Sequence, residues 1–318
     1  MNKIGIIEKI HDKGIDLLKN NKNFEYEIIE NTSKDNLIKV LPKFDGITLR
    51  VAKLDDSILD YCKKLKVISR HGVGYDNVDT KFLKKKNIKL LITATANAVS
   101  VAEHVMYMIL TLSKGIVMYD KMVRDGDFRK AANQLKTFEL LNKEILILGF
   151  GRIGKNLIRR CNGFEMNVNV YDPFVDESVI KKFGGNKVEN LEKAFRSADY
   201  ISIHMPLNPQ SKNLINYKKL EIMKKNVIII NTARGGIINE NDLDIALNKN
   251  IIFGAGLDVF EKEPVDLNNP LLKNKKVLLS PHSATFTEEC TERMGIETVQ
   301  NVIDFFENKI KNNMIVKL

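Results

Sequence analysis

The amino-acid sequence predicts an α/β protein with two parallel sheets, and three observations carry the prediction. Short apolar, β-branched runs alternate with helical patterns from end to end. A long segment that is apolar almost all round divides the series in two. In the second half a glycine-rich turn, Gly149-Phe150-Gly151-Arg152-Ile153-Gly154, stands between an apolar run and a helical pattern.

Taken in order, strands are expected at residues 4–7, 26–29, 46–49, 67–69 and 90–92 of the first half. Those of the second half are expected at residues 145–148, 168–171, 200–203, 227–230, 252–255 and 277–279. Most are continuously apolar, as strands buried on both faces must be, and the helical segments between them supply parallel crossovers. The dividing segment, residues 97–112, is expected to be a helix buried on several sides, between domains or between subunits. A last helix, residues 288–308, carries Met294, Ile296, Val299, Val302, Ile303 and Phe306 at helical spacing. It is expected to pack back onto the first domain and make that domain discontinuous.

Composition narrows the class. The chain has 318 residues, enough for two domains, and its 44% hydrophobic and 28% charged content is that of a soluble globular protein. Its start reaches a charge at Lys3, unlike a secretory signal, and its longest apolar stretch, residues 96–112, is interrupted by Glu103 and His104. No membrane partner is expected. Cys62, Cys161 and Cys290 are odd in number and far apart, so reduced cytoplasmic thiols are expected and no metal site. The net charge of +10 would suit a nucleic-acid binder. The lysines are scattered beside expected elements, however, as in Lys84-Lys85-Lys86 and Lys275-Lys276, so solvated faces are the better reading. They could also steer anionic substrates.

The glycine turn is a dinucleotide site in its right context. Gly149 permits a tight turn, Gly151 lets backbone approach a pyrophosphate, and Gly154 permits close helix–strand packing. The helix that starts at Arg152 and Ile153 presents free N–H groups to phosphate. A second strand ends in Asp172, about 20 residues on. A carboxylate there accepts bonds from the ribose hydroxyls of NAD and repels the 2′-phosphate of NADP, and neither Pro173 nor Phe174 offers an arginine to that phosphate. The alternative is that Asp172-Pro173 only starts a turn.

With these residues in view the chain resembles the D-isomer-specific 2-hydroxyacid dehydrogenases over nearly its whole length. The matching blocks are Gly72-Val73-Gly74-Tyr75-Asp76-Asn77-Val78-Asp79, Ser100-Val101-Ala102-Glu103-His104, the glycine turn, His204-Met205-Pro206-Leu207, Asn231-Thr232-Ala233-Arg234-Gly235-Gly236, residues 257–264 (Leu-Asp-Val-Phe-Glu-Lys-Glu-Pro), and Ser280-Pro281-His282. Within the family it is most similar to short phosphoglycerate dehydrogenases. The resemblance implies two Rossmann-like domains with a cleft between them: residues 1–98 with 287–318 for substrate, and residues 99–286 for NAD. It also implies a homodimer through the NAD-binding domains. It adds His204, Pro206, Thr232, Ala233, Asp258 and Ala284 to the cofactor-binding residues. Asp258 would contact the nicotinamide carboxamide, the alternative being a turn aspartate that caps local N–H groups. The chain departs from the family pattern at Phe128, where tryptophan is common, at Asn208, and at Ser283-Ala284-Thr285 after the catalytic histidine. These departures bear on the substrate and leave the reaction class alone.

The resemblance implies three catalytic residues. His282 would be the acid/base, a role suited to imidazole because its ordinary pKa lies near neutrality. Glu263 would bond its other ring nitrogen and fix the tautomer. Arg234, in a glycine turn after an expected strand, would grip the substrate carboxylate through two parallel hydrogen bonds. Backbone N–H groups of Val73 and Gly74 would assist. Arg50 and Arg70, both at expected strand ends, would bind a substrate phosphate; alternatively they pair with Asp55 or Asp76. The expected function is oxidation of 3-phosphoglycerate to 3-phosphohydroxypyruvate, a step toward serine. Reduction of hydroxypyruvate or glyoxylate is the second reading, and an NAD-sensing corepressor is an alternative of another class. Only ten residues, 309–318, follow the last expected helix, so neither a partner-recruiting tail nor inhibition by serine is expected.

Overall fold

The computed structural model describes residues 1–130 and 135–318, which divide into two compact units, Met1–Asn97 with Thr285–Leu318, and Ala98–Ala284. The first unit is built on a sheet of five parallel strands: β1 (Asn2–Ile7), β2 (Phe24–Ile29), β3 (Gly46–Leu49), β4 (Val67–Arg70) and β5 (Lys89–Ile92), in the order β2-β1-β3-β4-β5. Because side chains alternate along a strand, each strand feeds two cores. Ile7, Ile47, Leu49, Ile68 and Leu90 face one, closed by Leu37, Leu41, Ile58 and Leu83. Ile4, Ile6, Val67 and Leu91 face the other, closed by Ile15 and Leu18 of the helix Asp12–Lys19 and by Val299, Val302 and Ile303 of the helix Glu288–Phe306. Each such side chain contributes roughly 1.5–3 kcal/mol on full burial. The last helix therefore belongs to the first unit, which is discontinuous in sequence.

The second unit holds seven parallel strands: β6 (Glu144–Leu148), β7 (Asn167–Tyr171), β8 (Asn186–Lys187), β9 (Tyr200–Ile203), β10 (Ile228–Asn231), β11 (Gly254–Leu257) and β12 (Val277–Leu279). Their order is β12-β11-β10-β9-β6-β7-β8. The chain leaves β6 toward β7 and β8, then returns to β9 on the other side. That reversal opens a crevice at the carboxyl ends of β6 and β9, the place where ligands bind in such sheets. The helix Ala98–Lys114 buries Ala102, Val105, Met106, Met108 and Ile109 against Ile145, Ile147, Ile228 and Ile230. It is not enclosed all round: Val99 and Tyr107 form an exposed line. Among the described residues no single helix is long and apolar enough to cross a membrane.

Two differences from the sequence reading have local causes. The strand β8 is two polar residues at a sheet edge, too short and too hydrophilic to register as an apolar run. The strand β11 lies two residues later than expected because its glycines mask it. A Cβ on Gly256 would fall 2.8 Å from Ile230 Cδ1 and 2.9 Å from Met108 Sδ, so the helix Ala98–Lys114 packs directly on its backbone.

Candidate functional site

The glycine turn at the end of β6 is shaped by what its glycines lack. Gly149 has φ of 97°, and a Cβ there would lie 2.8 Å from the His204 backbone carbonyl. A Cβ on Gly154 would lie 2.6 Å from the Gly149 oxygen, so the helix Arg152–Gly163 sits tight on the turn. Gly151 differs: a Cβ there would meet nothing within 4 Å, which leaves an open cradle at the helix N-terminus. Arg152 and Ile153 open that helix, whose first N–H groups have no acceptor within it. Asp172, just past β7, accepts from Phe150 N at 2.8 Å and Phe174 N at 2.9 Å. The carboxylate is thereby fixed against the turn with acceptor capacity to spare.

Two orphaned polar atoms mark the neighbouring strand ends. His204, after β9, bonds Ser202 Oγ through Nε2 at 2.8 Å, while its buried Nδ1 has no partner among the described residues. Burial lowers its pKa to about 3, so the ring is neutral. Thr232, after β10, has a buried hydroxyl likewise without a partner. Buried polar atoms are rarely left unsatisfied without a reason. With the cradle at Gly151 and the carboxylate of Asp172, they fit a dinucleotide laid across the crevice. Pro206 follows on the surface, and its carbonyl accepts from Ser211 Oγ at 2.7 Å.

The turn after β10 presents Arg234. Asn231 holds it by accepting from Ala233 N at 3.0 Å and donating to the Arg234 carbonyl at 2.9 Å. A Cβ on Gly235 would lie 1.9 Å from the Phe260 oxygen, so this turn rests on the backbone of the loop after β11. That loop carries Glu263. One carboxylate oxygen accepts from Phe260 N at 3.0 Å, and the other lies 2.8 Å from Nδ1 of His282. Burial works to raise the Glu263 pKa, but the bonds from His282 and Phe260 N and the charges of His282 and Arg234 hold it below its ordinary value. The residue stays a carboxylate, Nδ1 is therefore the donor, and Nε2 of His282 is left to exchange a proton. His282 has φ of 53°, a left-handed conformation that residues with a Cβ rarely adopt.

Asp258 is fully buried directly after β11 and accepts from Ser280 Oγ at 2.6 Å, Ser283 N at 2.8 Å and Ala284 N at 3.1 Å. These partners lie more than twenty residues further along the chain, so Asp258 ties down the loop that carries His282 rather than capping its own turn. Nothing in the chain's polarity pattern announces this tie. Ser280 and Asn231 are likewise residues whose holding roles sequence reasoning missed, although both fall inside the family blocks.

In the first unit the strand ends bring together Arg50, Arg70, Val73 and Gly74. Arg50 follows β3 and donates to the Lys9 carbonyl at 2.9 Å. Arg70 ends β4 and donates to the carbonyls of Gly74 at 2.7 Å and Leu49 at 3.0 Å, and also to that of Arg50. It therefore shapes the turn holding the half-buried Val73 and Gly74. Between the arginines, His71 is pushed down to about 3 by burial and by both guanidinium charges, so these strand ends form one cationic cluster.

Comparison with known proteins identifies the family. Residues 106–284 match the family model described as D-isomer specific 2-hydroxyacid dehydrogenase, NAD binding domain. The chain is 33% identical over 303 residues to a D-3-phosphoglycerate dehydrogenase of Archaeoglobus fulgidus, covering 95% of this chain and 57% of that protein. It thus spans little more than half the length of that relative. It is 35% identical over 303 residues to a hydroxypyruvate reductase of Thermotoga maritima, covering 94% of this chain and 97% of that one. A D-lactate dehydrogenase of Aquifex aeolicus, solved with NAD and lactic acid, superposes with a TM-score of 0.85 at 28% identity, covering 96% of each chain.

Proposed function

Since the chain belongs to the D-isomer specific 2-hydroxyacid dehydrogenase family, we propose that it interconverts a small anionic 2-hydroxy acid and its 2-keto acid with NAD, and that 3-phosphoglycerate and 3-phosphohydroxypyruvate are the pair it serves. The observation that carries the reaction class is the 2.8 Å contact between His282 Nδ1 and Glu263 on a loop against which the Arg234 turn rests. When bound, NAD supplies or accepts the hydride. Gly149, Gly151, Gly154 and the helix start at Arg152 and Ile153 hold its pyrophosphate, and Asp172 takes its ribose hydroxyls. His204, Pro206, Thr232, Ala233, Asp258 and Ala284 line the remainder of the cofactor site.

In reduction, His282 gives the Nε2 proton to the carbonyl oxygen; in oxidation it removes the proton from the hydroxyl. Glu263 holds the ring in the tautomer that makes Nε2 available and stabilises the imidazolium once it forms. Arg234 grips the carboxylate and orients the reacting carbon, with N–H groups of Val73 and Gly74 assisting. Arg50 bonds the phosphate. Arg70 adds charge to the same cluster but spends much of its guanidinium on backbone carbonyls, and that favours keeping a second reading in which hydroxypyruvate or glyoxylate is the substrate. The exposed line of Val99 and Tyr107, with Ile116, Val117 and Val123 on the helix Ile116–Arg124, is an apolar surface that suits a second copy of the chain.

Arg50→Ala separates the substrates. A charge-assisted bond contributes about 1.5–3 kcal/mol, so losing it costs roughly ten- to a hundredfold in kcat/KM on 3-phosphohydroxypyruvate. Hydroxypyruvate, whose carboxylate is still held by Arg234, Val73 and Gly74, is far less affected. Equal losses on both substrates, or a wild-type preference for hydroxypyruvate, would replace the phosphate reading by the second one.

A further inference from the structure

His282 is bracketed by one buried carboxylate. Asp258 accepts from Ser280 Oγ two residues before it, and from Ser283 N and Ala284 N just after it. The left-handed backbone of His282 is thus held from both flanks. The Ser280 hydroxyl has a single hydrogen, and the 2.6 Å bond to Asp258 uses it. Its second contact, 3.0 Å from His104 Nε2, must then be one in which His104 donates. His104 stands on the helix Ala98–Lys114 with its ring edge-on to Tyr107, and Nε2 is also 3.7 Å from Asp258 Oδ1. Burial lowers the His104 pKa against the pull of Asp258, and donation to Ser280 Oγ places a hydrogen on Nε2. A run of bonds thus leads from the rigid helix through Ser280 and Asp258 to the backbone on either side of His282.

We infer that His104 and Ser280 are positioning residues that hold the acid/base histidine in its working pose by anchoring Asp258 to the helix Ala98–Lys114. The inference rests on the reading of His282 as the acid/base. A chain of this kind acts on orientation at the reacting atoms, where small misplacements cost rate. His104→Gln keeps an N–H donor near the Nε2 position; His104→Leu removes it.

The test measures kcat and the NADH dissociation constant, with the 2-keto acid that wild type reduces fastest among 3-phosphohydroxypyruvate, hydroxypyruvate and glyoxylate. The variants are Ser280→Ala, His104→Leu, His104→Gln, the double Ser280→Ala/His104→Leu, and His282→Asn as the reference for losing the acid/base. Ser280→Ala and His104→Leu are expected to lose about tenfold in kcat with NADH affinity within twofold of wild type. His104→Gln is expected to stay within about threefold, and the double variant to be no worse than Ser280→Ala, since residues in one chain of bonds are not additive. Melting curves identify any variant that has lost its fold, and Ser280→Ala and His104→Gln then carry the comparison. Full turnover in Ser280→Ala and His104→Leu while His282→Asn is inactive would overturn the inference. So would a His104→Gln as impaired as His104→Leu, or losses that add. Retained turnover in His282→Asn is a separate result that removes the reading of His282 itself.

Discussion

Replacing Gly151 with alanine separates the cofactor from the fold. The residue has φ of −73° and ψ of −157°, a conformation alanine adopts, and its Cβ would meet nothing within 4 Å. Fixing the unfolded chain with alanine gains about 0.4–1 kcal/mol. Losing glycine at a helix N-cap costs a similar fraction of about 1 kcal/mol. The melting temperature is therefore expected to stay close to wild type. The added methyl instead fills the cradle assigned to the pyrophosphate. Overpacking of one methyl costs about 1–3 kcal/mol, which is roughly a five- to 150-fold rise in the NADH dissociation constant. Gly154→Ala is the contrast. Its methyl would lie 2.6 Å from the Gly149 oxygen, so that variant loses stability with or without ligand. Its gain of about 1 kcal/mol in helix propensity offsets only part of that clash. Fluorescence titration with NADH beside thermal melting reads both effects. A Gly151→Ala protein that binds NADH like wild type would refute the assignment of the phosphates to this turn.

Two further expectations follow from carboxylates. Wild type should prefer NADH over NADPH by about tenfold or more in kcat/KM, and Asp172→Ala should relax that preference; equal use of both cofactors by wild type would remove Asp172 from the ribose site. Glu263 stays ionised through the neutral range because its pKa is held below the ordinary value. Its negative charge favours the protonated ring that reduction needs. Glu263→Gln is thus expected to move the alkaline fall in reductive kcat/KM to lower pH, because the carboxylate facing His282 Nδ1 is lost. An unmoved profile would break the proposed pair.

How far the sequence could be read depended on whether a residue's partner lies near it in the chain. Strands announce themselves through apolar runs such as Ile145-Leu146-Ile147-Leu148, because a strand buried on both faces has no room for polar residues. One exception is β8, two polar residues at a sheet edge; the other, β11, is hidden by glycines whose reason is a helix more than a hundred residues earlier. The glycine turn and Asp172 were legible since one strand–turn–helix–strand unit contains them all. Glu263 and His282 were legible only through the family's blocks, and their contact in the second unit joins two loops after neighbouring strands. The bonds of Asp258 to the His282 loop, and of Arg70 to the carbonyls of Leu49 and Gly74, were not legible. A buried carboxylate or guanidinium takes whichever donors or acceptors the fold delivers, and residue type alone does not say which.

The most direct measurement of the central claim is the oxidation of NADH by wild-type protein, followed by absorbance with 3-phosphohydroxypyruvate, hydroxypyruvate, glyoxylate, pyruvate and 2-ketoglutarate in turn. The account predicts saturable, 2-keto-acid-dependent turnover at ordinary enzyme rates, highest with 3-phosphohydroxypyruvate and reduced by roughly two to four orders of magnitude in His282→Asn. No turnover with any 2-keto acid by a folded protein that binds NADH would contradict it.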